Sequence, residues 1–120
     1  MVKTIYILED DQDIREIIEF LLKEENYQVY GFGNVADFMS VQTLSNANLF
    51  LLDVMLPDGN GIDVCSQLKK NPRTGHIPVL MMSAHSSQSE IERECQTQGF
   101  LAKPFDIDTL INKVYNIISS

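Results

Sequence analysis

Four short apolar runs constrain this chain most: Ile5-Tyr6-Ile7-Leu8, Leu49-Phe50-Leu51-Leu52, Val79-Leu80-Met81-Met82 and Phe100-Leu101-Ala102. They are continuous rather than alternating, as strands covered on both faces of a parallel sheet require. A fifth segment, residues 27–32, alternates and is rich in aromatics, which suits an edge or half-covered strand. Between the runs lie helical patterns. Ile14, Ile17, Ile18, Leu21 and Leu22 make one stripe, and Val35, Phe38 and Met39 a shorter one. Ile62, Cys65 and Leu68 make a third, stopped near Asn71-Pro72. Residues 88–97 carry only Ile91 and Cys95 as apolar anchors, which predicts a loosely held helix. Ile107, Leu110, Ile111, Val114, Ile117 and Ile118 form a strong last stripe, with Asp106 placed to cap it.

The order is strand then helix, five times over. That alternation predicts an α/β fold with a parallel sheet, helices on both faces and right-handed crossovers. At 120 residues and 44% hydrophobic content, a single domain over 1–120 with a real core is expected. Seventeen acids against nine Lys and Arg give a net charge of −8, which argues against nucleic-acid binding by this domain. No apolar run approaches the roughly 20 residues needed to span a bilayer. The N-terminus shows no signal-peptide pattern, so a cytoplasmic protein is expected. Cys65 and Cys95 make no disulfide framework, and reduced thiols are the expectation.

The residues just after each run carry the chemistry. The first run ends in Glu9-Asp10-Asp11, the third strand in Asp53, the fourth in Ser83-Ala84 and the fifth in Lys103-Pro104. In a parallel sheet these ends share one edge, where ligands of such folds bind. Each residue alone has a plain reading: acids suit a helix start, Asp53 a turn, and Ser83 and Lys103 an ordinary surface. Their joint placement on the binding edge favours a site. Clustered carboxylates repel, and a hard divalent cation such as Mg2+ relieves this through oxygen ligands. An aspartate beside such an ion can accept a phosphoryl group. Lys103, the Ser83 hydroxyl and the Ala84 backbone N–H could supply positive charge to its oxygens.

Taken in this order, the motifs resemble the receiver domain of bacterial two-component response regulators over essentially the whole chain. They are Glu9-Asp10-Asp11, Asp53-Val54-Met55-Leu56-Pro57-Asp58 leading to Gly61, Met82-Ser83-Ala84 and Lys103-Pro104-Phe105. The resemblance implies a flavodoxin-like sheet of order 2-1-3-4-5. It also implies phosphoryl transfer onto Asp53 from a sensor histidine kinase or phosphotransfer protein. Metal ligands would be Glu9, Asp10, Asp53 and the Met55 backbone carbonyl, with Asp11 a further candidate and Arg15 fixing the register. Ser83 and Lys103 match the switch hydroxyl and the lysine of the family. Phe100 matches the aromatic that turns inward with the switch as residues 83–87 close on the phosphoryl group. Met55 and His85 would flank access to that group, and slow self-dephosphorylation is expected. The chain would be a switch rather than a turnover enzyme, read by a downstream partner or a linked output domain.

Two departures stand out. The stretch from Ser83 to Lys103 is about two residues shorter than usual for the family. Gln96-Thr97-Gln98-Gly99 replaces its small-residue turn and acidic pair. A monomer or weak dimer is therefore expected. Rival chemistries fit less well. A dehalogenase-type phosphatase wants an acid where Met55 stands. No G-x-x-x-x-G-K-[ST] loop or G-x-S-x-G elbow occurs, and Asp58-Gly59-Asn60-Gly61 lacks EF-hand spacing. A phosphorylation-independent binding module remains the competitor from another class.

Overall fold

The computed structural model describes residues 2–85 and 87–120. Five parallel strands form its sheet: β1 (Thr4–Leu8), β2 (Gln28–Phe32), β3 (Leu49–Asp53), β6 (Val79–Ser83) and β7 (Gly99–Ala102). They lie in the order β2-β1-β3-β6-β7. A two-residue hairpin, β4 (Met55–Leu56) with β5 (Gly59–Asn60), interrupts the numbering. Without it the order is the expected 2-1-3-4-5. The alternating segment is indeed an edge strand, β2, and the continuous runs β1, β3 and β6 fill the centre.

Successive side chains on a strand point to opposite faces, so each apolar run feeds two cores. Tyr6, Leu8, Phe50, Leu52, Val79 and Met81 pack on one face. They meet Phe38 of α2 (Val35–Met39), Ile62, Cys65 and Leu68 of α3 (Gly61–Lys70), and Ile91 of α4 (Gln88–Glu94). Ile5, Ile7, Leu49, Leu51, Leu80, Met82 and Leu101 pack on the other, against α1 (Gln12–Glu24) and α5 (Ile107–Ile118).

The helices begin where capping chemistry allows. Asp11, Asn34, Asn60, Ser87 and Asp106 each accept a hydrogen bond from a backbone N–H in the first turn. The expected Asp106 cap on α5 is thus present, through Thr109 N at 2.7 Å. α3 ends at its C-cap Asn71, as expected.

Three expectations need correction. Ile17 belongs to the apolar stripe of α1 by spacing, yet it is 57% exposed, because the buried side of the helix is narrower and centres on Ile18 and Leu22. The fourth helix ends at Glu94 rather than at residue 97, since Cys95 already has extended backbone. The third concerns the cysteines. Cys65 in α3 and Cys95 at the C-cap of α4 are joined in a disulfide, with Cα atoms 6.2 Å apart. Their 30-residue separation says nothing about distance; the packing of α4 beside α3 brings them together.

Candidate functional site

The strand order reverses between β1 and β3, and their C-terminal ends open a crevice there. Leu8 pairs with Leu52, Asp53 with Met82, and Ser83 with Ala102. This register delivers Glu9, Asp53, Ser83 and Lys103 to one edge. A cleft of about 300 Å3 opens there. Glu9, Asp10, Asp11, Asp53, Met55, Ser83, Ala84, His85 and Lys103 all line it, together with Ile14. Every sequence-predicted site residue is therefore present except Phe100. That ring is half-buried on β7, packed on the core that includes Ile91 and Cys95.

Asp53 is 6% exposed. Its Oδ1 accepts a hydrogen bond from the Val54 N–H at 2.9 Å, and its Oδ2 lies 3.1 Å from the Lys103 ammonium. The same ammonium pairs with Glu9 Oε1. Glu9 is fully buried, and its Oε2 accepts from the Asp11 N–H at 3.1 Å. Burial pushes the Glu9 carboxyl up to about 7; the Lys103 hydrogen bond opposes this and the Asp53 charge adds to it. Burial also works against the Lys103 cation, but the Glu9 hydrogen bond and the Asp53 charge outweigh it and hold its pKa above the ordinary lysine value. The two groups gain proton affinity for different reasons, Glu9 from burial and Lys103 from its carboxylate partners. A single ammonium faces two buried carboxylates, with Asp10 beside them.

Carboxylate oxygens of Glu9, Asp10 and Asp53 lie within 4.8 Å of one another. Such an all-oxygen acidic set fits a hard divalent cation, and Asp10 is exposed at the solvent side. Asp11 is otherwise engaged: its Oδ1 caps α1 by accepting from the Ile14 N–H at 3.1 Å. Ser83 is 3% exposed, and its Oγ accepts from the His85 N–H at 3.1 Å. His85 thus meets the Ser83 hydroxyl through its backbone, while the residue itself is exposed. Ser86, in the 83–87 loop expected to move, lies outside the described residues.

A family model described as the response regulator receiver domain matches residues 5–115. This chain belongs to that family. Curated relatives include the transcriptional regulatory protein GltR of Pseudomonas aeruginosa, 32% identical over 114 residues. That match covers 93% of this chain and 47% of the relative, so the chain spans about half the relative's length. The receiver is also similar to solved structures. The non-phosphorylated HemR receiver domain of Leptospira biflexa superposes with a TM-score of 0.89 at 26% identity, over 98% of this chain and 95% of that one. The signal receiver domain of a signal transduction histidine kinase from Syntrophus aciditrophicus gives a TM-score of 0.85 at 27% identity, over 98% and 91%.

Several supporting contacts in the receiver are not legible in the sequence. Arg15 donates from its Nη1 to the Glu9 carbonyl at 2.8 Å and so holds the backbone of the acidic turn. Asp58 accepts from the Val35 and Ala36 N–H groups at 2.8 and 3.0 Å, fastening the loop after Asp53 to the start of α2. These hydrogen bonds hold the Asp58 carboxyl below its ordinary value. Gly61 has no room for a side chain: a Cβ there would sit 1.9 Å from the Asp53 carbonyl oxygen. An acid in a Pro-Asp-Gly turn and a glycine at a helix start were the available signals. Neither names its partner.

Proposed function

We propose that this receiver accepts one phosphoryl group on Asp53 from a phosphohistidine protein and uses the acyl phosphate to switch an output surface. The carrying observation is the single cleft in which Asp53 stands 3.1 Å from Lys103 beside Glu9, Asp10 and Ser83. A carboxylate oxygen of Asp53 attacks phosphorus, and the phosphorus–nitrogen bond of the donor breaks with its electron pair leaving on the imidazole. Lys103, the Ser83 hydroxyl and the Ala84 N–H then face the phosphoryl oxygens, whose charge they offset. Glu9, Asp10, Asp53 and the Met55 carbonyl would hold Mg2+. The ion, when bound, neutralises charge shared between the acids and the phosphoryl group.

The donor must cover the mouth of the cleft. Beside that mouth lies an apolar groove of about 410 Å3 built from Ile17, Ile18, Pro104 and Phe105, sharing Ile14, Ala84 and Lys103 with the cleft. Ile17 is exposed there, and Phe20 and Ile107 are exposed on the same two helices, α1 and α5. We assign this face to the phosphodonor, because a protein delivering a phosphoryl group to Asp53 reaches it without further movement. The output face would be α4, β7 and the near side of α5, read by a partner protein or a linked output domain. Stoichiometric transfer rather than turnover is expected, since the acceptor is consumed by the product.

A small phosphodonor with Mg2+ should add one phosphoryl group by intact mass, and Asp53→Asn should abolish it. Equal labelling of that variant would move the acceptor elsewhere. No labelling of the natural chain under any donor would favour the phosphorylation-independent binding module.

A further inference from the structure

The two ends of α4 are held differently. α4 has seven residues and a single buried side chain, Ile91. Its N-terminal end succeeds the loop beside Ser83, and its C-terminal end is fastened to α3. Two links make that fastening: Ser66 Oγ donates to the Glu94 carbonyl at 3.2 Å, and Cys95 is bonded to Cys65. Cys65 is fully buried in α3, which is itself held by Ile62, Val64 and Leu68. One end of the covalent link is therefore anchored in the core, and the other lies on the least anchored helix. Phe100 packs on the same cluster as Ile91 and Cys95.

We propose that Cys65 and Cys95 form a reversible dithiol–disulfide pair that, when oxidised, pins the C-terminal end of α4 to α3 and restrains the phosphorylation-dependent movement of the helix. The restraint on α4 stands on the packing alone; its link to signalling rests on the receiver function proposed above.

A small-molecule disulfide such as glutathione disulfide supplies the oxidant. The Cys95 thiolate, at the more accessible position with 6% exposure, attacks one sulfur and expels a glutathione thiolate. The Cys65 thiolate then attacks the Cys95 sulfur of the mixed disulfide and expels the second. The protein loses two protons and two electrons, and the oxidant becomes two thiols. Both sulfurs are buried, so exchange requires α4 to lift. One buried side chain makes that local opening accessible. Disulfides of reducing compartments are characteristically of this transient, redox-sensing kind.

A pin that favours the unphosphorylated placement of α4 must oppose phosphorylation and be opposed by it equally, because coupling between two sites is reciprocal. Beryllofluoride with Mg2+, a phosphoryl mimic, should therefore bind the oxidised protein about fivefold or more weakly than the reduced one, within the ordinary range of allosteric coupling. Saturation with the mimic should make the disulfide easier to reduce by the same factor.

The test uses the full chain equilibrated in glutathione buffers of graded ratio. Alkylation and intact mass count free thiols, and hydrogen exchange is read across residues 88–98. Two alkylated thiols in reducing buffer and none in oxidising buffer are expected, with slower exchange of residues 88–98 in the oxidised form. Cys95→Ser should exchange like the reduced protein in every buffer, and because the redox comparison is made on the natural chain, a misfolded variant would not compromise it. A pair that stays reduced in oxidising buffer, or equal exchange in both states, overturns the proposal. Equal mimic affinity in both states overturns the coupling to signalling. If the mimic binds neither state, the receiver function fails instead, and the exchange comparison alone decides the pin.

Discussion

Glu9 gives the most direct quantitative handle on the acidic site. In the metal-free receiver its carboxyl is fully buried and raised from 4.5 to about 7. At about 1.36 kcal/mol per pH unit, that separation amounts to about 3 kcal/mol. Proton counting gives the sign. Between about 4.5 and 7 the folded chain holds a proton on Glu9 that the unfolded chain has released, so stability falls as pH rises through this window. The contribution is complete below 4.5 and gone above about 8. For a 120-residue chain with an unfolding entropy of about 2.1 cal/mol/K per residue, 3 kcal/mol corresponds to roughly 12 °C in melting temperature. Glu9→Gln keeps the shape and removes the titration. Thermal unfolding of both proteins in a chelating buffer, from pH 4.5 to 8.5, should show the variant gaining on the natural chain as pH rises. Magnesium should narrow the gap at the alkaline end, where its ligands need not lose a proton to bind. Melting curves of the two proteins that run parallel across the whole range would refute a buried, proton-holding Glu9.

Three further outcomes are expected. Gly61→Ala should cost about 1–3 kcal/mol, as overpacking does, because the new Cβ meets the Asp53 carbonyl and backbone cannot swing aside; urea unfolding measures it, and phosphoacceptance should fall with the displaced Asp53. Asp58→Ala should lower the melting temperature at neutral pH by freeing the Val35 and Ala36 N–H groups. Because the Asp58 carboxyl is lowered from 3.8, its contribution is present above that pH and lost as pH falls below it, so the two melting curves should converge in acid. Met55 lies at the cleft and is 60% exposed; Met55→Asn should speed decay of the phosphorylated form by orienting water, as tracked by intact mass over time.

Much of this molecule is legible in one dimension. Runs such as Leu49–Leu52 are apolar at every position because their strand is covered on both faces, and that pattern needs no partner to be read. Strand ends are set by the runs, and a parallel sheet puts all of them on one edge. Glu9, Asp53, Ser83 and Lys103 could therefore be grouped before any distance was known. The strand order came from the family resemblance, since alternation of elements is compatible with several orders. Tertiary structure alone decided the rest. Ile17 shares the spacing of Ile18 but faces outward, because spacing defines a stripe and packing defines how much of it is covered. The Glu9 carboxyl is raised by burial, a property of its surroundings rather than of its neighbours in sequence. Asp58 finds α2, and Cys95 finds Cys65, across 22 or more residues. Contacts at that separation depend on how whole elements pack, and local periodicity carries no information about them.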